Sequence, residues 1–307
     1  MINIENLIRK YGDFVAVDGV SFEIPRGEIV GLLGHNGAGK TTIMKILTGY
    51  LEATAGSVTV NGLDINENLL EVQQSIGYLP ENAPLYQDLT VLDYLEFVAD
   101  LKGVSESGRQ TAITKAVEKT SLQAKATDKI ETLSKGYKQR VGVAQAILGD
   151  PEILILDEPT NGLDPVQIQE MRNLILELAE SATVIISTHI MQEVEAICER
   201  VLILERGKLA LDSTLDEIKS TGGVVLSVDK PESEVKSFFN KVSWVKSYQL
   251  LNDQDGIYSY LLTPTEDSGN RFLPELASLV INKGWSLYAL APREQSLESV
   301  FRSVSAA

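Results

Sequence analysis

The hydrophobic and polar positions change period several times along the chain. Residues 2–8 alternate with the period of a half-buried strand, 9–13 carry turn residues, and 15–24 alternate again, which together predict an N-terminal antiparallel sheet. Residues 29–33 are continuously apolar, as in a strand covered on both faces, and 42–48, beyond a glycine-rich loop, have helical spacing. Residues 56–63 read as a further hairpin-like segment and 75–79 as a short strand. The spacing of Leu92, Leu95, Val98 and Ala99, and then of Ile113 and Val117, predicts helices over 91–102 and 108–122. A third helix, over 138–149, stops at Asp150-Pro151. Residues 153–156 form a second fully apolar strand. A helix over 166–179, a strand over 183–187, a helix over 190–199 and a hairpin turning at Gly207 follow. Apolar strands alternating with helices predict a mostly parallel sheet with a helical subdomain inserted at about 85–150.

Beyond Gly222-Gly223 the pattern changes to strand 224–228, helix 232–242, strand 244–251, strand 257–263, helix 268–283 and strand 285–290. This β-α-β-β-α-β order predicts a small ferredoxin-like α+β domain. The expected division is therefore 1–220 and 221–307. A length of 307 residues, above the usual size of one domain, agrees with two.

Composition narrows the class. Hydrophobic residues at 44%, charged residues at 23% and a mean hydropathy near zero describe a globular protein. No apolar run approaches the roughly 18 residues of a spanning helix and no signal-peptide pattern opens the chain, so any membrane association is expected to be peripheral. Cys198 is the only cysteine, which excludes an internal disulfide and fits a reducing compartment. The net charge is −16, of which −14 falls in the first 220 residues, and this disfavours a nucleic-acid partner.

The strongest chemical signal is Gly34-His35-Asn36-Gly37-Ala38-Gly39-Lys40-Thr41-Thr42, a G-x-x-x-x-G-K-[ST] loop between a predicted strand and a predicted helix. That is the context of a phosphate-binding P-loop and implies an α/β P-loop NTPase with a mixed sheet. Glycines 34, 37 and 39 let backbone N–H groups approach phosphate oxygens at the positive end of a helix. Lys40 would hold the β- and γ-phosphates and the Thr41 hydroxyl would ligate Mg²⁺. A glycine-rich turn before an ordinary helix is the competing reading, and the flanking elements argue against it. Asp157 and Glu158 leave the C-terminal end of the apolar strand, where α/β sheets bind ligands, although an N-cap pair would look the same. His189 after strand 183–187 reads equally as a structural histidine. Tyr11, placed in the first turn, is a candidate to stack on a purine or to pack half-buried.

Together with Leu133-Ser134-Lys135-Gly136-Tyr137 and Gly162-Leu163-Asp164, these motifs stand in the order and spacing of an ABC transporter nucleotide-binding domain, which residues 1 to about 215 resemble. The resemblance implies that Tyr11 stacks on the adenine of ATP, Asp157 supports Mg²⁺, Glu158 polarises the attacking water and His189 contacts the γ-phosphate. It implies that two such domains pair head to tail, so that Ser134 and the Gly136 N–H touch a γ-phosphate held by the other chain, with Asp164 at the seam. One copy of each motif then predicts a homodimer, or a heterodimer with another ATP-binding subunit. The chemistry is consistent by itself: phosphoryl transfer needs neutralised charge, from Lys40, Mg²⁺ and His189, and an aligned water, from Glu158.

Two departures narrow the resemblance. Lys135 and Tyr137 replace a Gly and the Gln of the common Leu-Ser-Gly-Gly-Gln signature, while Ser134 and Gly136 are kept. Glu81 stands where most members carry a Gln that senses Mg²⁺ and the transmembrane partner; a carboxylate oxygen also ligates Mg²⁺. With the tail Ser296-Leu-Glu-Ser-Val-Phe301, these features resemble the second exporter type, which includes drug, polysaccharide and gliding-motility systems. The implied protein binds and hydrolyses ATP on the cytoplasmic face and reaches the membrane only through a permease subunit. A non-transport ABC ATPase and a regulatory nucleotide-binding module are the alternatives. The C-terminal segment has no catalytic spacing and reads as an interaction or dimer-stabilising module, or as a ligand-sensing domain.

Overall fold

The structure, a computed structural model, describes residues 2–220, 223–239, 242–265, 272–293 and 295–305. Gly222, residues 240–241 of the helix expected over 232–242, and the onset of the helix expected from Ser268 lie outside them. The chain divides into two compact units, Met1–Thr214 and Leu215–Ala306.

In the first unit β1 (Ile2–Tyr11) and β2 (Phe14–Ile24) pair antiparallel. Lys10 pairs with Val15 and Tyr11 with Phe14, so Tyr11 ends a strand instead of sitting in the turn expected over 9–13. Irregular register steps along this pair break the alternation there, which is why the sequence reads as a turn. β3 (Ile29–Leu33) follows, buried throughout, and leads through the glycine-rich loop into α1 (Lys40–Leu47). β4 (Ala55–Val60) and β5 (Leu63–Asp64) complete an antiparallel sheet in the order β2-β1-β4-β5, and a short helix α2 (Leu69–Ser75) follows.

A second sheet joins β3 to β6 (Ile76–Leu79), β7 (Ile153–Asp157), β8 (Thr183–Thr188), β9 (Arg200–Glu205) and β10 (Lys208–Thr214), in the order β10-β9-β3-β8-β7-β6. All its neighbours run parallel except the β10 edge. Ile43, Met44, Ile46 and Leu47 of α1 are buried in one core with residues of β1, β2 and β4 from the first sheet and β3, β7, β8 and β9 from the second. Each such burial contributes about 1.5–3 kcal/mol over exposure, so the helix that leaves the loop is firmly anchored.

The inserted helices α3 (Val91–Leu101), α4 (Glu106–Lys119) and α5 (Lys135–Ile147) pack on one another, each capped by a hydroxyl, from Thr90, Ser105 and Ser134. α5 starts at Lys135 and not at 138. Ser134 accepts from the Tyr137 N–H, so the signature forms the cap and first turn of the helix. α6 (Pro165–Ala179) opens with a capping box between Asp164 and Gln167 and with proline at its first position, and α7 (Met191–Ile197) follows β8.

The second unit contains α8 (Leu215–Ser220), β11 (Val224–Val228), α9 (Glu232–Phe239), β12 (Val245–Gln254), β13 (Ile257–Pro264), α10 (Phe272–Asn282), β14 (Leu287–Pro292) and α11 (Leu297–Ser305). Its antiparallel sheet has the order β12-β13-β11-β14, the split β-α-β topology of ferredoxin-like folds. Leu226, Phe239, Tyr260, Leu262, Leu276 and Val280 form its core, and the buried Tyr260 hydroxyl donates to Lys230 O at 2.7 Å. α8 packs against α11, so the break between units falls at 214 and not at 220.

Candidate functional site

β3, β8 and β7 are adjacent and parallel, so their C-terminal ends share one edge of the sheet. The loop leaving β3 turns back on itself, with the Ala38 N–H bonded to His35 O at 3.0 Å. Gly39 has φ +107°, and a Cβ there would lie 2.6 Å from Ala16 O, so the chain can enter α1 this close to β2 only with glycine. No side chain caps α1. The N–H groups at the start of such a helix form an anion site.

Lys40, the first residue of α1, is only 6% exposed. Its Nζ donates to Gly34 O at 2.8 Å, lies 3.4 Å from His35 O, and is 3.7 Å from Glu158 Oε1. Burial pushes its pKa down, opposed by the negative charges of Glu158 and then Asp157.

Asp157 and Glu158 are delivered by β7 and tied to β8. The Ser187 hydroxyl donates to Asp157 Oδ1, while Asp157 Oδ2 is buried without a hydrogen-bond partner. Glu158 adopts φ +50°, a conformation that costs a side-chain-bearing residue about 1–3 kcal/mol. Its N–H bonds to Ser187 O at 3.1 Å and to Ser187 Oγ at 3.2 Å, which holds that conformation in place. The Glu158 carboxylate meets His189 Nδ1 at 2.9 and 3.1 Å. Nδ1 therefore carries the proton it donates to Glu158.

An open cleft of about 350 Å³ is lined by Tyr11, Asn36, Gly37, Gly39, Lys40, Thr41, Thr42, Glu81, Glu158 and His189, with Phe14, Ala16 and Asn161. The structure thus brings together the residues singled out at the N-terminus, the loop and the two strand ends, with Asp157 fully buried. Gly34, His35 and Ala38 belong to the same loop without lining the cleft. Tyr11 is 47% exposed, and the Arg9 guanidinium lies 4.7 Å from its ring centroid. Ser134 and Gly136 are elsewhere. Ser134 is exposed at the cap of α5, and Gly136 lines a second, polar cleft with Tyr137, Arg140, Gln167 and Glu170. A Cβ at Gly136 would come within 2.7 Å of the Gln167 amide, so α5 and α6 meet closely at this point.

The sequence reading missed Ser187, Thr188, Asn161, Thr160 and Glu193. The one available signal was the hydroxyl pair Ser187-Thr188 closing an otherwise apolar strand just before His189.

A mixed sheet around a P-loop, with paired carboxylates at the end of β7, one strand removed from β3, defines a P-loop nucleoside triphosphatase. The family model for ABC transporters matches residues 17–161. The chain is 34% identical over 304 residues to the uncharacterized ABC transporter ATP-binding protein YdbJ of Bacillus subtilis, covering 98% of this chain and 94% of YdbJ. It is 39% identical to the lantibiotic transport ATP-binding protein SrtF of Streptococcus pyogenes, covering 70% of this chain and 92% of SrtF. The dimeric ATP-binding cassette MJ0796, in a post-hydrolysis state bound to ADP and Pi, superposes with a TM-score of 0.64 at 26% identity, over 70% of this chain and 98% of that one. The chain belongs to the ABC transporter ATP-binding proteins, the family its motifs resemble, and is an ATPase.

Proposed function

We propose that this chain powers an exporter as one half of a head-to-tail ATP-binding pair, each cleft being completed by Ser134 and Gly136 of the other subunit. The carrying observation is that the P-loop cleft is open and lacks the signature, whose Ser134 instead stands exposed as the cap of α5. The dimeric cassette MJ0796 and the lantibiotic and multidrug transport proteins among the relatives support the reading.

In this arrangement the loop N–H groups and Lys40 hold the phosphates, Tyr11 stacks on adenine, Glu158 orients the attacking water and accepts its proton, and His189 contacts the γ-phosphate. The residues present fit Mg²⁺. Asp157 Oδ2 is a buried oxygen with no hydrogen-bond partner on the residue preceding Glu158, Thr41 and Glu81 line the P-loop cleft, and Mg²⁺ typically takes one or two carboxylates together with substrate phosphates. The ion would neutralise phosphate charge when bound. Glu81 accepts weakly from Asn161 Nδ2, at 3.5 Å. Glu81→Gln is expected to raise several-fold the Mg²⁺ concentration needed for half-maximal ATPase and to weaken its stimulation by the permease; unchanged values for both would remove Glu81 from this role.

No helix of the described residues is long and apolar enough to cross a membrane. We place the protein on the cytoplasmic face, held there by a separate permease subunit, with the second unit stabilising the pair.

The composite cleft is tested by mixing two defective chains, Lys40→Met and Ser134→Arg. If the sites are shared, neither homodimer hydrolyses ATP, and the mixture recovers turnover because one of its two clefts combines an intact loop with an intact signature. Failure of the mixture to recover, with mixed dimers verified by tagged pull-down, would overturn the pairing. The same assay on chains ended after Thr214 should give fewer mixed dimers if the second unit stabilises them.

A further inference from the structure

Glu193, in the first turn of α7, is a carboxylate only 2% exposed that the chemistry above does not use. The Thr160 hydroxyl donates to its Oε1, and the Thr188 hydroxyl donates to its Oε2 at 2.7 Å. Both threonines are buried, at 4% and 0% exposure. Thr188 Oγ1 also accepts from the Ile190 N–H at 3.0 Å, so its proton is directed to Glu193.

The position of the two threonines gives the contact its meaning. Thr160 lies in the tight turn that begins at Glu158, where the Asn161 N–H bonds to Glu158 O at 3.1 Å. Thr188 is the last residue of β8 and precedes His189. Ser187 joins the two strands one layer below, through Asp157 and the Glu158 N–H. That tie acts on backbone and on Asp157. Glu193 acts above it, on the segments that carry the Glu158 and His189 side chains onward.

We propose that Glu193 is a positioning residue that sets the distance and orientation between Glu158 and His189 by clamping Thr160 and Thr188 at once. The inference rests on the reading of Glu158 and His189 given above. A small misplacement suffices for a large effect, because a shift of about 1 Å at a reacting group costs on the order of 10²-fold in rate.

The test uses the full chain and measures ATP affinity and kcat separately. Glu193→Gln keeps volume and one acceptor oxygen but removes the second. Thr188→Val removes one hydroxyl at constant shape, and Thr188→Ser restores it. Glu193→Gln and Thr188→Val are expected to lower kcat roughly ten- to a hundredfold, with ATP affinity close to wild type, and Thr188→Ser should recover most of the loss. Adding Glu193→Gln to His189→Ala should lower kcat little beyond His189→Ala alone, since partners acting through one contact are not additive. Wild-type kcat in Glu193→Gln, a parallel loss of ATP affinity, multiplicative losses in the double variant, or a Thr188→Ser chain as slow as Thr188→Val would each overturn the proposal. If Glu193→Gln does not fold, the Thr188 pair decides. Glu158→Gln and His189→Ala are assayed alongside: wild-type turnover in these removes the underlying reading, whereas loss in these with none in Glu193→Gln and Thr188→Val removes the clamp alone.

Discussion

Glu158→Gln is expected to yield a chain that binds ATP, pairs, and then stalls. The amide keeps the size of the carboxylate and can still accept the bond from His189 Nδ1 that now measures 2.9 Å, so the local geometry should survive. What it cannot do is accept a proton from water. Loss of a key polar group of this kind lowers turnover by about 10²–10³, or roughly 2.7–4 kcal/mol of barrier. Removing a negative charge beside the phosphate site should leave ATP affinity equal or higher. Size-exclusion chromatography with ATP should therefore show a long-lived dimer where the wild type returns to monomer as ATP is consumed. Wild-type hydrolysis would withdraw Glu158 from the chemistry. A monomer that binds ATP would withdraw the pairing.

Lys40→Met should have the largest effect on binding. The methionine retains much of the buried stem but none of the charge, and hydrogen bonds to charged groups contribute about 1.5–3 kcal/mol each. A lysine shared between two phosphates thus corresponds to a loss of affinity on the order of 10²-fold or more. The same change strands Glu158, which is 6% exposed and then keeps only the His189 ring as a partner within ion-pair distance among the described residues. The ATP-free protein should melt lower, and adding Glu158→Gln should recover the melting temperature without recovering ATP affinity. Recovery of both, or of neither, would separate Lys40 from one of its two partners. Calorimetric titration and thermal denaturation of the three chains provide the comparison.

The parts of this molecule legible in the sequence are those whose physics is local. The loop 34–42 announces itself because glycine, lysine and threonine are needed within one turn of chain. The continuous apolar runs of β3 and β7 need no partner to be recognised as buried. Tyr11 was misplaced because the hairpin's irregular register hides the alternation that extends β1 to the turn. α5 starts three residues before the expected 138, because the Ser134 cap and the close approach of Gln167 make glycine suitable inside the first turn. The short helices α2 and α8 span too few residues to show a period. Ser187, Thr188, Thr160 and Glu193 act only once β7 and β8 lie side by side, a relation between distant segments that one chain does not spell out.

The 3.7 Å contact between Lys40 and Glu158 has a further meaning for timing. In this structure the cation that would grip phosphate and the anion that would activate water lie close enough to offset each other's charge, both nearly buried. An incoming triphosphate must compete for the lysine, so part of its attraction is consumed in separating a pair already formed, and affinity is tempered accordingly. Once that exchange has happened, Glu158 is relieved of its counter-charge at the moment its substrate is in place. The substrate itself would arm the base.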